Sequence, residues 1–293
     1  NMLNTYSLFS ENIMSSFLEK YKRQAKLYID LPSSGIYYDD SVVQDQQYVH
    51  LPVHALTAAD EITIKTPDIL FSGQATADII KSCVPSILDP WKLVKPDVDY
   101  ILSAIKLATY GETSSMTVTC PKCGTESEAE IKLQDVLDFY ENVPQEHVFS
   151  YQDLEIQLTP VTYTIITKLG LEMYNLQRTL VQVQASDMTD EEKTDHYAKA
   201  ANEMKKAAVR ALVYYVTSIS SKTSDDVEDN NEVINDFLYN NDNSVATLFT
   251  KEVDIFLQKL SFPEQFLPCS NEECDHTLNV KYSSDYSTFF DRS

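Results

Sequence analysis

Met116-Thr117-Val118-Thr119-Cys120-Pro121-Lys122-Cys123-Gly124 leads directly into Glu128-Ala129-Glu130-Ile131-Lys132-Leu133. Both flanks alternate polar and apolar side chains, and the cysteines sit two residues apart beside a proline and a glycine, so the order is strand, tight cysteine turn, strand. Two sulfurs presented by one turn make a metal knuckle, which is half of a tetrahedral site. The other half lies near the end of the chain. Cys269 and Cys274 are spaced C-x4-C and run into the extended stretch Thr277-Leu278-Asn279-Val280-Lys281-Tyr282. Four thiolates match the geometry and softness that zinc prefers, so Cys120, Cys123, Cys269 and Cys274 are the expected zinc ligands, with His276 as a substitute for Cys274. Four sulfurs also close the coordination shell, which makes the expected Zn2+ structural rather than catalytic.

Two other uses of the cysteines are weaker. A redox Cys-x-x-Cys opens a helix after a strand, whereas Gly124 and a second strand follow here. Disulfides need an oxidising compartment, and the opening Asn1-Met2-Leu3-Asn4-Thr5-Tyr6-Ser7 has neither the basic start nor the apolar run of a secretory signal. Synthesis in the cytoplasm is the expectation. Cys83, the fifth cysteine, reads as a buried helical residue.

Outward from the knuckles the expected fold is α+β: a mainly helical domain carrying a small β zinc ribbon built from two distant knuckles. Residues 1–30 read as an N-terminal amphipathic helix, with Ile13, Phe17, Leu18 and Tyr21 on one face of 10–28. Residues 31–135 hold a turn at Leu31-Pro32-Ser33-Ser34-Gly35, an extended segment at 48–53, helices over 58–70, 73–83 and 97–110, and the first knuckle. Residues 136–261 form a helical insertion: a hairpin of helices over 160–184 and 189–219, a solvated acidic loop over 220–231, and a helix over 232–260. Residues 262–293 supply the second knuckle and a C-terminal strand that packs on 114–135. Loop closure over so long an insertion costs little extra, because the cost grows only logarithmically with length.

Composition limits the function. The 293 residues include 23 Lys+Arg against 45 Asp+Glu, a formal charge of -22. A surface of that sign repels phosphate backbones and anionic headgroups, so neither nucleic acid nor membrane is an expected partner. No apolar run is long enough to span a bilayer. Five glycines leave no phosphate-cradling loop, and no G-x-S-x-G elbow or H-E-x-x-H is present, so the chain does not read as an enzyme. Eighteen tyrosines and twelve phenylalanines are side chains favoured at protein interfaces.

Several segments in order resemble the T-even-type bacteriophage (myovirus) proteins that assemble the baseplate hub. They are Leu31-Pro32-Ser33-Ser34-Gly35 with Tyr37, Ala55-Leu56-Thr57-Ala58-Ala59-Asp60-Glu61, Lys81-Ser82-Cys83-Val84, Leu107-Ala108-Thr109-Tyr110-Gly111, the first knuckle, and Tyr286-Ser287-Thr288-Phe289-Phe290 after the second. The resemblance implies a non-enzymatic virion or tail-assembly protein, made in the host cytoplasm and acting on other baseplate and tail proteins. A retained baseplate component and a departing chaperone both fit it. The alternative from another class is a transcription-type zinc ribbon on nucleic acid. It needs a basic face, yet Glu126, Glu128, Glu130, Glu272, Glu273 and Asp275 surround the knuckles against Lys122, Lys132 and Lys281.

Overall fold

Helix-forming and strand-forming stretches alternate along the chain, and the computed structural model, described for residues 21–64 and 72–282, accordingly mixes helices with four small antiparallel sheets. The first strand, β1 (Ala25–Ile29), pairs with β2 (Leu51–His54), matching Ile29 to Leu51 and Tyr28 to Pro52. The expected helix over 10–28 lies mostly outside the described residues. Its last part is a strand, because Leu27 and Ile29 turn inward while Lys26 and Tyr28 turn out, a period of two. Two helices follow, α1 (Ala58–Ile64) and α2 (Gln74–Cys83), and Cys83 is buried as expected.

The centre of the molecule is α3 (Lys95–Tyr110). Val98, Ile101, Leu102, Ala104 and Ile105 are fully enclosed, and so are Asp97, Asp99 and Ser103, which marks a helix covered on all sides. Gly111, at φ 99°, ends it and returns its N–H to the Leu107 carbonyl. The chain then forms the ribbon β3 (Thr113–Thr119) and β4 (Glu126–Lys132), paired in register from Thr113↔Lys132 to Thr119↔Glu126. Its buried face carries Ser127, Ala129 and Ile131, and its other face Glu126, Glu128 and Glu130, as the alternation requires. Helix α4 (Leu133–Tyr140) follows without a break and packs on α3.

The segment expected to be a helical insertion with one acidic loop, 136–261, contains a four-stranded sheet as well. Its order is β5 (His147–Tyr151), β6 (Leu154–Leu158), β7 (Val216–Ser221) and β8 (Val227–Glu228). Between β6 and β7 rises the helical hairpin α5 (Tyr163–Ala185) and α6 (Asp190–Tyr215). A capping box starts α6: the Thr189 hydroxyl accepts the Glu192 N–H at 3.3 Å, and the Glu192 carboxylate accepts the Thr189 N–H at 2.9 Å. The second arm was expected to stay helical to 219. It stops at Tyr215, because Val216, Thr217 and Ile219 are β-branched and Ile219 pairs with Ile156 on β6. The acidic loop is exposed except where its ends are drawn into β7 and β8. The last helix is two, α7 (Asn231–Asn240) and α8 (Asn243–Leu260), divided at Asn241-Asp242.

Phe149, Ile156, Leu158, Val213, Ile219, Leu238, Phe249 and Phe256 join the residues of α3 and α4 in one continuous buried cluster. The final hairpin, β9 (Gln265–Pro268) and β10 (Thr277–Val280), is tied to it through Val280 and Tyr282, and the Tyr282 and Ser103 hydroxyls are 3.1 Å apart. Among the described residues no helix is long and apolar enough to cross a membrane.

Candidate metal centre

Each knuckle is the tip of a hairpin, so the strands aim the sulfurs. The β3–β4 ribbon closes through Cys120, whose N–H donates to the Thr125 carbonyl at 2.8 Å, and Gly124, whose N–H donates to the Cys120 carbonyl at 2.9 Å. Gly124 stands at φ 74°, in the left-handed region where a side chain would be strained. The β9–β10 hairpin closes in the same manner. The Cys269 N–H donates to the His276 carbonyl at 3.1 Å, and the Cys274 N–H donates to the Asn271 carbonyl at 2.8 Å.

The two tips meet. The sulfurs of Cys120, Cys123, Cys269 and Cys274 all lie within 4.8 Å of one another, an arrangement that could hold a metal ion. Cys123 and Cys269 Sγ are 3.6 Å apart and Cys120 and Cys274 Sγ are 3.9 Å apart. Every cysteine expected as a ligand from the sequence is therefore in the cluster. Cys274 rather than His276 is the fourth member of the cluster, and the His276 carbonyl accepts the Cys269 N–H in the turn. Leu278 and Val118 pack against Cys120 and Cys269 and cover the inner side.

The backbone favours thiolates here. Thr125, Asn271 and His276, each two residues beyond a cysteine, turn main-chain N–H groups toward Cys123, Cys269 and Cys274. Cys123 goes furthest. Hydrogen bonds from the Thr125 hydroxyl and N–H bring its thiol down to about 6. For Cys274 the His276 N–H also lowers the pKa, but burial and the crowding of the other three thiols outweigh it and raise the group to about 11. Four adjacent sulfurs cannot all ionise without a cation among them, because like charges at such distances repel strongly. Thr125, Asn271 and the Ser127 hydroxyl, which accepts the Ser270 N–H at 3.1 Å and bridges the hairpins, were not singled out in the sequence. The signal that could have found the first two is their offset of two from a knuckle cysteine.

The surface around the centre is acidic. Glu126, Glu128, Glu130, Glu272 and Glu273 are exposed, and Lys122 is paired with Asp275 across the two knuckles.

A family model described as T4 bacteriophage base plate protein matches residues 25–291. No curated protein and no solved structure matches the chain. The matched span takes in the central helix, the hairpin arm and both cysteine turns, so the chain belongs to the T4 bacteriophage base plate protein family and is a structural protein of the phage tail.

Proposed function

We propose that this protein is a hub-associated structural or assembly subunit of a contractile tail baseplate, and that Cys120, Cys123, Cys269 and Cys274 hold one structural zinc ion that joins its two cysteine hairpins. The observation that carries the metal reading is the sulfur spacing. Zinc–sulfur bonds of about 2.3 Å place the corners of a tetrahedron about 3.8 Å apart, and the two sulfur pairs stand at 3.6 and 3.9 Å. The donors fit the ion in chemistry too: four soft sulfurs, of which Cys123 is already brought down to about 6 by Thr125, while Cys269 and Cys274 are raised by burial and the neighbouring thiols and need a cation to ionise. When bound, the ion supplies a cross-link and no open coordination position.

Cys123 and Cys269 are 146 positions apart, so the cross-link fastens the end of the fold to its middle. Residues 136–261 then act as the contact region toward other baseplate and tail proteins. The exposure of Tyr174, Val181, Met188 and Tyr197 along the arm supports that role. A nucleic-acid-binding ribbon is opposed by the carboxylates around the knuckles. A redox dithiol is opposed by the hairpin setting, in which no helix opens at Cys120.

The test is an interrupted copy of the gene in its phage, with lysates viewed by electron microscopy. Incomplete tails that lack a normal baseplate centre are expected, and normal numbers of infectious particles would contradict the reading. Probing mature tails and tail precursors for the chain separates a retained subunit from a departing chaperone.

A further inference from the structure

The hairpin of α5 and α6 meets along a narrow seam. On α5, Ile166, Leu169, Met173, Leu176, Leu180 and Val183 recur at offsets of three and four, a stripe that a partner helix should cover. What α6 buries over that length is small, Ala200 and Ala207. Leu169, Met173, Leu176 and Leu180 accordingly stay partly exposed, and none of them joins the main core. A groove of about 540 Å³ opens between the two helices, with Lys168, Leu176 and Arg210 in its lining. Two helices alone leave apolar surface in water, and a bundle of four buries it.

Beside the seam runs a second line on α5, Gly170, Tyr174, Gln177 and Val181, at offsets of four, three and four. All four are exposed, Tyr174 by 44% and Val181 by 64%, and the line has no charged member. Gly170 sits inside the helix without a positive φ, where glycine weakens a helix relative to alanine. A Cβ there would meet nothing within 4 Å among the described residues, so neither the backbone nor their packing requires glycine. A helix arriving from another molecule would use it, because glycine lets two backbones approach closely. The line is also complementary to itself. When two α5 helices pair antiparallel about a two-fold axis between Asn175 and Leu176, Val181 of each copy falls on Gly170 of the other, and Tyr174 falls beside Gln177.

Charge favours the same occupant. Residues 163–215 hold seven Lys and Arg against seven Asp and Glu, so the arm carries none of the -22 that drives two copies apart. Asp190, Glu191 and Glu192 stand at its turn, whereas Lys168, Lys205, Lys206 and Arg210 lie toward its root. Antiparallel packing brings each acidic turn to the other copy's basic root, and parallel packing sets like charges together. An arm about 35 Å long and about 20 Å across offers about 700 Å² per copy, and about 1,400 Å² in total lies within the range of stable interfaces.

We propose that the α5–α6 arm packs antiparallel on the same arm of a second copy of this chain, forming a four-helix bundle with Val181 seated at Gly170. The proposal rests on reading residues 136–261 as the contact region, names another copy as the neighbour of the arm, and is independent of the metal.

The test is sedimentation equilibrium of the full-length protein over a range of dilutions. A reversible dimer of twice the chain mass is expected. Gly170→Leu fills the proposed hole but raises helix propensity, so it should melt no lower than a parent diluted to monomer, while dimerisation weakens by about tenfold or more. Val181→Glu buries a charge at the same contact and should weaken dimerisation at least as much. A chain that stays monomeric up to about 100 μM, or a dimer indifferent to Val181→Glu, overturns the proposal. So does a dimer that keeps its affinity in Gly170→Leu. If Gly170→Leu instead melts lower and cannot be read, Val181→Glu still decides. Absence of the chain from both tails and tail precursors would count against the baseplate reading, whereas a monomer found in tails overturns the dimer alone.

Discussion

Replacing Cys269 by serine removes one of four sulfurs and exposes how little else holds the two knuckles together. Across their interface, among the described residues, stand the packing of Leu278 and Val118 on Cys120 and Cys269, worth about 2 kcal/mol, one hydrogen bond, from the Ser270 N–H to the Ser127 hydroxyl, and one exposed ion pair, Lys122 with Asp275. The hydrogen bond is worth about 1 kcal/mol, and the ion pair, in full contact with solvent, up to about 1 kcal/mol. Structural zinc in small knuckle domains contributes on the order of 10 kcal/mol. On the zinc reading the cross-link therefore dominates, and without it the knuckles should open locally at about 4 kcal/mol, a protection of roughly a thousandfold. The rest of the hairpin stays anchored by Val280 and Tyr282 in the main core. The assay is amide hydrogen exchange of parent and Cys269→Ser protein. The amides of Cys120, Gly124 and Cys274 should pass from strong protection to this low level, while α3 keeps its protection. Unchanged exchange at those amides, with zinc content equal to the parent, would refute the reasoning.

Other perturbations have defined outcomes. Asp97→Ala strands the buried Ser33 N–H and the hydroxyls of Ser33 and Tyr38, and should cost at least about 3 kcal/mol in urea denaturation. Burial raises the pKa of Asp97 in the folded state, so over the window between its unfolded and folded values the folded chain binds the extra proton. Stability contributed by this group therefore grows as pH falls through that window, and Asp97→Asn should remove that growth when melting is followed against pH. Gly35→Ala meets both the left-handed backbone and the Tyr48 ring, and should lose roughly 1–3 kcal/mol by the same denaturation measurement. Glu192 is held below its ordinary pKa by the Thr189 N–H and hydroxyl, so the start of α6 should keep its helicity at neutral pH and fray as pH falls through the lowered value. Amide exchange at 190–194 reads this directly.

The cysteine site was legible because its information is local. A C-x2-C or C-x4-C turn between alternating strands specifies where two sulfurs point, whatever lies in between. The helices around α3 were legible for a related reason, since Gly73 and Gly111 mark their limits. The four-stranded sheet was not. The β5–β6 turn, Gln152-Asp153, has Gln152 at φ 54° and lacks the glycine that usually announces a two-residue hairpin. At Tyr215 the helix meets its strand with no glycine or proline between them, and only pairing with β6 decides the change. Similarly, Ala25–Ile29 has residues compatible with either period, and its partner Leu51–His54 settles it as a strand. In each case the deciding contact is distant in sequence.

X-ray absorption at the zinc edge, on full-length protein prepared without chelator, tests the central claim most directly. The account predicts one zinc per chain with four sulfur neighbours at about 2.3 Å. Protein with no stoichiometric zinc, or zinc bound to nitrogen and oxygen alone, would contradict it.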